Sequence, residues 1–312
     1  MLLKFSALAF VSLASITHAA SLKLALNWKP EPQFGGFYAA DINKTFLQKQ
    51  LDVKILEGGS GTPTIQMLAT GVVEYAVVSA DEIILSHDRG ATDVVAIFAS
   101  YQTNPQGILV HAEQNFQSIE DVFKSSGTLL WQDGLPYAQF IKKKYGKDFK
   151  IKTAPYTGGI GNFQNDPQIS QQCFVTSEPL TAQAAGLKVR AFLVADSGYN
   201  PYTTVLVTTA SRLKEKPAEV QAVVAAVRDG WNAYLKDPKP TNLAMGKLNK
   251  AMNADTFQKS AEAQRVLIET AEAKGVTLGS MTQARWQSLV DQLAELKLIK
   301  KKMPATALFW NL

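Results

Sequence analysis

The sequence predicts an α/β protein of two lobes, each a doubly wound sheet flanked by helices, with a ligand cleft between them. Three observations predict it. Short apolar runs of strand length alternate with helical stretches of about ten residues, the rhythm of a parallel sheet wound on both faces. The chain has 312 residues, more than one ordinary core accommodates. Two extended, proline-containing segments, 101–106 and 199–204, are rich in polar and aromatic residues and read as crossings between lobes. Residues 21–104 and 203–312 then form lobe 1, and 105–202 form lobe 2, an arrangement that closes by hinge bending.

Residues 1–20 carry one cation, Lys4, an apolar run over 5–16, and small residues at Ala19 and Ala20. That is the composition of a secretory signal peptide cleaved after Ala19 or Ala20, so the mature protein is expected to be exported. The apolar run is too short for a membrane span, and no later stretch reaches the length of one. A strand over 22–26 opens the mature chain. It feeds the loop Asn27-Trp28-Lys29-Pro30-Glu31-Pro32-Gln33-Phe34, and a helix begins near Gly36. A strand over 53–56 leads into Gly58-Gly59-Ser60-Gly61-Thr62 and a helix that ends at Thr70 before Gly71. A strand over 74–79 follows, then a helix opened by Asp81 that stops at Gly90, then a strand over 94–99. Beyond Gln106, strands are expected near Ile108, over 128–131, near Phe174 and over 189–194. In the C-terminal third, Val220, Val223, Val224, Val227, Trp231, Tyr234 and Leu235 mark one apolar helix face that ends at Asp237-Pro238. Further helices are expected over 241–252, 255–274 and 282–298, with Trp, Met and Leu as core stripes.

Composition excludes several classes. Cys173 is the one cysteine, so no intrachain disulfide forms, and its setting, Gln172-Cys173-Phe174-Val175, reads as a buried strand. The formal net charge of +5 falls to +4 without Lys4, and the lysine runs at 142–144 and 300–302 lack interleaved aromatics. Nucleic acid is not an expected partner. Of three histidines, one lies within 1–20, and His87 and His111 are far apart without metal-ligand spacing. No nucleophile-elbow pattern is present. No catalytic residue, metal or cofactor is expected.

Ligands of open α/β sheets sit beyond the carboxyl ends of the strands. In lobe 1 those ends offer Asn27 and Trp28, with Phe34 close behind. An amide beside an indole suits a flat heteroaromatic ring, stacked on one face and hydrogen-bonded at one edge. A surface loop with a packed Trp is the alternative. Gly59, Ser60, Gly61 and Thr62 read either as a nest of backbone N–H groups for an anion or as a turn with a helix cap. Ser79 and Asp81 close the set. In lobe 2, Trp131 is placed to close over a ring, and Gly158 and Gly159 open a second glycine-rich loop. Gln102, Tyr199 and Tyr202 lie on the crossings, where they wall the cleft or pack on the hinge.

Several stretches match one family in order and spacing: Leu26-Asn27-Trp28-Lys29-Pro30, Leu56-Glu57-Gly58-Gly59-Ser60, Gln66-Met67-Leu68-Ala69-Thr70-Gly71, Glu74-Tyr75-Ala76-Val77-Val78-Ser79, Arg89-Gly90 and Thr203-Thr204-Val205-Leu206-Val207. On them the chain resembles a type II periplasmic solute-binding protein of an ABC importer. The branch is the one that includes binders of thiamine pyrimidine precursors and of aliphatic sulfonates. The resemblance implies a periplasmic monomer that captures a small heteroaromatic solute, foremost a thiamine-related pyrimidine precursor. It implies no cofactor, and transient docking on an ABC permease in the inner membrane. It also implies that Glu178, in Thr176-Ser177-Glu178-Pro179, accepts hydrogen bonds from an amino-pyrimidine. A pyrimidine synthase belongs to the same branch and needs a reactive His and a cysteine-rich segment. This chain has Ala80-Asp81-Glu82 and Ser197-Gly198-Tyr199-Asn200-Pro201-Tyr202 there, so the resemblance implies a binder rather than an enzyme. A sulfonate or nitrate binder and a periplasmic ligand sensor are the alternatives. Glu178 would repel an anion that the glycine-rich loop would welcome.

Overall fold

The computed structural model describes residues 21–90, 93–271 and 274–312. The signal-peptide reading of 1–20 lies outside the described residues. Two five-stranded sheets organise the molecule. The first contains β1 (Leu22–Ala25), β2 (Val53–Leu56), β3 (Tyr75–Val78) and β4 (Val94–Tyr101). The second contains β5 (Gln106–His111), β6 (Thr128–Trp131), β7 (Lys152–Pro155), β8 (Ile169–Phe174) and β9 (Val189–Leu193). The chain then returns to the first sheet through β10 (Thr203–Thr209). The strand orders are β2-β1-β3-β10-β4 and β7-β6-β8-β5-β9.

The sheets are mixed, which corrects the expectation of parallel strands throughout. β10 runs antiparallel to β3 and β4, and β5 runs antiparallel to β8 and β9. The reason is topological. β5 and β10 are the strands by which the chain enters a lobe from a crossing, so they begin where their neighbours end. Thr203 accordingly stands opposite Tyr101, and Gln106 opposite Phe174. β7 had no predicted counterpart, because Lys152-Thr153-Ala154-Pro155 is a largely exposed edge strand without an apolar run.

Helices pack on the sheets as α1 (Gly35–Ile42), α2 (Thr45–Gln48), α3 (Thr64–Ala69), α4 (Ala80–Asp88), α5 (Ile119–Lys124), α6 (Pro136–Tyr145), α7 (Gly161–Asn165) and α8 (Glu178–Ala184). After β10 come α9 (Ala210–Glu215), α10 (Pro217–Lys236), α11 (Lys239–Leu248), α12 (Ala254–Ala263), α13 (Arg265–Ile268) and α14 (Gln283–Glu295). The predicted face of α10 is buried, from Val220 through Leu235. It meets α1 at unusually close range. A Cβ on Gly36 would lie 2.1 Å from the Trp231 ring, and one on Gly230 would lie 2.2 Å from the Gly36 carbonyl oxygen. These glycines therefore serve helix contact rather than loop freedom.

The helix expected over 255–274 breaks after Ala263 and stops at Ile268. The Leu267 carbonyl accepts the N–H groups of Gln102 (2.9 Å) and Thr103 (2.8 Å), so the first crossing takes the acceptor that a longer helix would use. No helix among the described residues is long and apolar enough to cross a membrane.

The two crossings lie side by side. The Asn104 N–H donates to Asn200 Oδ1 (2.8 Å), and Asn104 Nδ2 donates to the Pro201 carbonyl (3.1 Å). Arg285 of α14 joins them. It donates to the Asn200 carbonyl (2.7 Å), to Asn200 Oδ1 (3.0 Å) and to the Gln102 carbonyl, while its guanidinium sits 3.9 Å from the Tyr202 ring centroid.

Candidate functional site

The ends of β3 and β8 lie against the crossings: the Ala80 N–H donates to the Tyr202 carbonyl (3.0 Å) and the Val175 N–H to the Pro105 carbonyl (2.9 Å). The loops after β1 and β2 are zipped together. Leu26 N–H donates to the Leu56 carbonyl (2.9 Å), and Gly58 N–H donates to the Trp28 carbonyl (3.0 Å). A Cβ on Gly58 would lie 2.1 Å from the Leu26 carbonyl oxygen, so only glycine permits that approach. Trp28 packs on the core of the first lobe yet stays half-buried, and Asn27 beside it is half-buried too. Glu31 follows between Pro30 and Pro32. Its Oε2 accepts from Gln33 Nε2 at 3.1 Å, and Asn249 Nδ2 ties down the Pro30 carbonyl at 3.1 Å.

The facing wall comes from the end of β8. Glu178 opens α8, and its carboxylate is gripped from both sides. Oε2 accepts the Phe174 N–H (2.8 Å), and Oε1 accepts the Tyr156 hydroxyl (2.9 Å). Burial raises the Glu178 carboxyl above the ordinary range, and those hydrogen bonds pull it back. Burial also pushes Glu31 up to about 7. Hydrogen bonding from Gln33 lowers it, the charge of Glu178 adds to the rise, and the Trp28 side chain lowers it again. The Glu178 charge, from the second sheet's side, thus acts on Glu31 of the first. Tyr101 of β4 belongs to the same neighbourhood: burial raises its phenol, Thr176 lowers it, and Glu31 raises it further. Cys173 lies behind this wall, buried, with its thiol pushed up first by burial and then by Glu178.

Of the residues singled out from the sequence, Asn27 and Trp28 are half-buried beyond the end of β1, and Glu178 is half-buried beyond the end of β8. Gly158 and Gly159 border the site on the exposed loop after Tyr156, both in the left-handed region at φ 96° and 69°. The others are placed differently. Gly59, Ser60, Gly61 and Thr62 close on themselves: Gly59 N–H donates to Thr62 Oγ1 (2.8 Å) and Thr62 N–H to the Gly59 carbonyl (3.1 Å). The anion-nest reading is corrected in favour of a turn, because two of its donors are spent internally and α3 is only six residues long.

Trp131 is fully buried among Phe123, Tyr137 and Phe149, with ring centroids 6.1, 6.0 and 5.9 Å away, and offers no face to a ligand. Its position on β6 turns it into the core, and Gln132 takes the strand end, its N–H donating to Gln172 Oε1 (2.6 Å). Phe34 is likewise buried. Asp81 and Tyr199 are buried and satisfy each other, with the tyrosine hydroxyl donating to Asp81 Oδ2 at 3.0 Å. The Ser79 hydroxyl pairs with Thr203 Oγ1 (3.1 Å) at the hinge end of β10. Gln102 and Tyr202 line a cavity of about 930 Å³ with Arg285 and Thr282. Tyr202 accepts the Thr282 N–H at 3.0 Å.

Glu31 and Tyr156 are the cleft residues that sequence reasoning did not single out. The signal for Glu31 was available: an acid pinned between two prolines at a strand end has no helix terminus to cap. Tyr156 carried no signal beyond its glycine-rich loop. Among the described residues no group of three or more His, Cys, Asp or Glu side chains is arranged to hold a metal ion. The cleft offers an aromatic platform, a phenol and two hydrogen-bond-accepting acids, a set suited to a flat ring with N–H donors on its edge.

A family model described as "NMT1/THI5 like" matches residues 31–241 of this chain. The formylaminopyrimidine-binding protein of Halalkalibacterium halodurans is 22% identical over 282 residues, covering 88% of this chain and 84% of that protein. Among solved structures, the periplasmic aliphatic sulphonate binding protein SsuA from Escherichia coli superposes with a TM-score of 0.71 at 14% identity, covering 93% of this chain and 92% of that one. The periplasmic nitrate-binding protein NrtA from Synechocystis PCC 6803 superposes with a TM-score of 0.70 at 11% identity, covering 94% and 86%. The fold is that of the two-lobed periplasmic binding proteins.

Proposed function

The chain belongs to the NMT1/THI5-like family, and from that premise we propose that it is the substrate-binding component of an ABC importer for a small amine-bearing heteroaromatic solute. A thiamine-related pyrimidine precursor is the favoured ligand. The observation that carries the reading is Glu178, anchored at the end of β8 by the Phe174 N–H and the Tyr156 hydroxyl, together with the half-buried Trp28 beyond the end of β1. A carboxylate fixed in this way accepts from an exocyclic amine while the indole stacks on the ring. The relative that binds a formylaminopyrimidine supports the same ligand class.

An acid at this position disfavours sulfonate or nitrate, and the turn at 59–62 spends two of its four N–H donors internally. The structures of sulfonate and nitrate binders share the fold with this chain and carry no further weight here. Catalysis of the pyrimidine-synthase kind is disfavoured because Ala80-Asp81-Glu82 replaces the reactive His and Tyr199 and Tyr202 serve the hinge. In this reading the protein works in the periplasm as a monomer. Contacts made to both lobes at once favour the closed form, which then docks on the permease.

The test is calorimetric titration of an aminopyrimidine into wild type, Glu178→Gln and Trp28→Ala. The expected result is binding by wild type and at least about a tenfold loss in each variant, with melting curves showing both folded. Unchanged affinity in both variants would overturn the site.

A further inference from the structure

We propose that the cavity of about 930 Å³ beside the crossings is a second ligand site, taking a small molecule that carries a flat carboxylate on an apolar body. Its volume lies in the range of small-molecule sites, roughly 300–1,000 Å³. Among the described residues that line it, none is one to which the proposed function assigns the ring, so the inference stands apart from that reading. Both crossings contribute: Gln102 and Thr103 from the first, Asn200 and Tyr202 from the second, with Arg285 in the first turn of α14. A smaller cavity of about 200 Å³ also has Asn200 and Arg285 in its wall, so Arg285 borders open space twice.

Three of the described lining residues are charged, and they do not balance. Glu269 is answered by Arg265, whose Nη1 lies 3.2 Å from its Oε2. That leaves Lys274 and Arg285, and among the described residues neither forms an ion pair. A guanidinium carries five N–H donors in one plane. Arg285 spends three of them on neutral oxygens: the Asn200 carbonyl (2.7 Å), Asn200 Oδ1 (3.0 Å) and the Gln102 carbonyl. Those bonds fix the side chain but leave its charge uncancelled. Burial lowers the guanidinium from its ordinary value, and Tyr202 works against that. An anion in the cavity answers the charge outright. Tyr202 covers one face of the guanidinium, with its ring centroid 3.9 Å away, so an acceptor meets the remaining donors in their own plane. A carboxylate lies flat in that plane, whereas a tetrahedral sulfonate puts an oxygen outside it. The apolar body has its own wall, because Leu235, Ile268 and Met281 line the cavity and are buried. A carboxylate bound there shares Arg285 with both crossings, which builds the site into the hinge.

The probes are hexanoate, hexanamide and pentanesulfonate, which share one alkyl tail and differ in the head group. Each is titrated calorimetrically into the wild-type protein at neutral pH. Hexanoate is expected to bind with a dissociation constant below about 1 mM, and at least about fivefold more tightly than either other probe. Thr277 lines the cavity and is exposed, so substitutions there spare the core. Thr277→Glu adds a negative charge to the wall and is expected to weaken hexanoate at least about fivefold. Thr277→Gln adds the same bulk without the charge and is expected to stay within about threefold of wild type. Arg285→Lys keeps the charge without the planar fork and is expected to weaken hexanoate at least about fivefold.

A weaker wild-type constant, or a smaller preference over either probe, overturns the proposal. So does equal hexanoate binding by Thr277→Glu and Thr277→Gln, because the charge in the cavity wall then goes unfelt and the probe sits elsewhere. Wild-type affinity in a folded Arg285→Lys overturns it as well, and if that variant does not fold the Thr277 pair decides. The ring reading is not at stake in any arm, since no probe carries a ring.

Discussion

Behind the cleft, at the hinge, Asp81 takes the Tyr199 hydroxyl, Asn104 takes Asn200 and Pro201, and Arg285 spreads its donors over both crossings. In front, Glu31 and Glu178 come from opposite lobes, and among the described residues neither forms an ion pair. The same kinds of side chain stand at strand ends in both places. They differ in exposure. Asp81 and Tyr199 are buried at the hinge, whereas Glu31 and Glu178 stay half-buried, and it is to these that the proposed function assigns a ligand.

The comparison breaks most easily at Arg285. Replacing it by Ala strands the carbonyls of Gln102 and Asn200, and is expected to cost about 3 kcal/mol in urea unfolding. Wild-type stability in that variant would mean that the crossings are not held from α14. At the cleft the balance inverts. Glu178→Gln is expected to weaken ring binding by about 2 kcal/mol, roughly thirtyfold, with little change in melting temperature. A large loss of stability with no loss of affinity would make Glu178 a hinge-type residue.

The acids also give the unliganded protein a pH dependence. Glu31 sits at about 7 in the fold against an ordinary 4.5, so between those values the native state binds more protons than the unfolded chain. Stability is full below the lower value and falls as pH rises through the higher one. Glu178 and Asp81 are raised in the same direction and add to the trend. After allowance for solvent at a half-buried group, the Glu31 share is about 1.5 kcal/mol. Thermal melts should therefore drop from about pH 5.5 to about pH 8, less so in Glu31→Gln. A flat profile in wild type would contradict the electrostatic account of the cleft. The smallest effect is expected at Tyr199→Phe, which removes one donor from Asp81. It should cost about 1 kcal/mol in unfolding and leave ring affinity within about twofold.

Much of this architecture is legible in the chain itself. The strand over 53–56 and the apolar face of α10 follow from periodicity, because burial on one face imposes it. Strand direction does not. Nothing in Gln106-Gly107-Ile108 or Thr203-Thr204-Val205 says that these strands enter their lobes from the crossings. At the site, the sequence placed Trp28 beside prolines just beyond a strand end, and there it stays half-buried. Trp131 looked the same and is core, since a one-residue difference in strand phase decides between cleft and interior. Tyr199 and Asp81 lie 118 positions apart, so their bond left no local trace. The turn at 59–62 shows the same limit: glycine-rich composition signals backbone freedom, not where the freed N–H groups point.

The most direct test of the account is a competition at neutral pH between an aminopyrimidine and an alkanesulfonate of similar size, followed by calorimetry on wild type and Glu178→Gln. The account predicts heat from the aminopyrimidine alone, and at least about a tenfold weaker association in the variant. Heat from the sulfonate, undiminished or increased when Glu178 loses its charge, would contradict it.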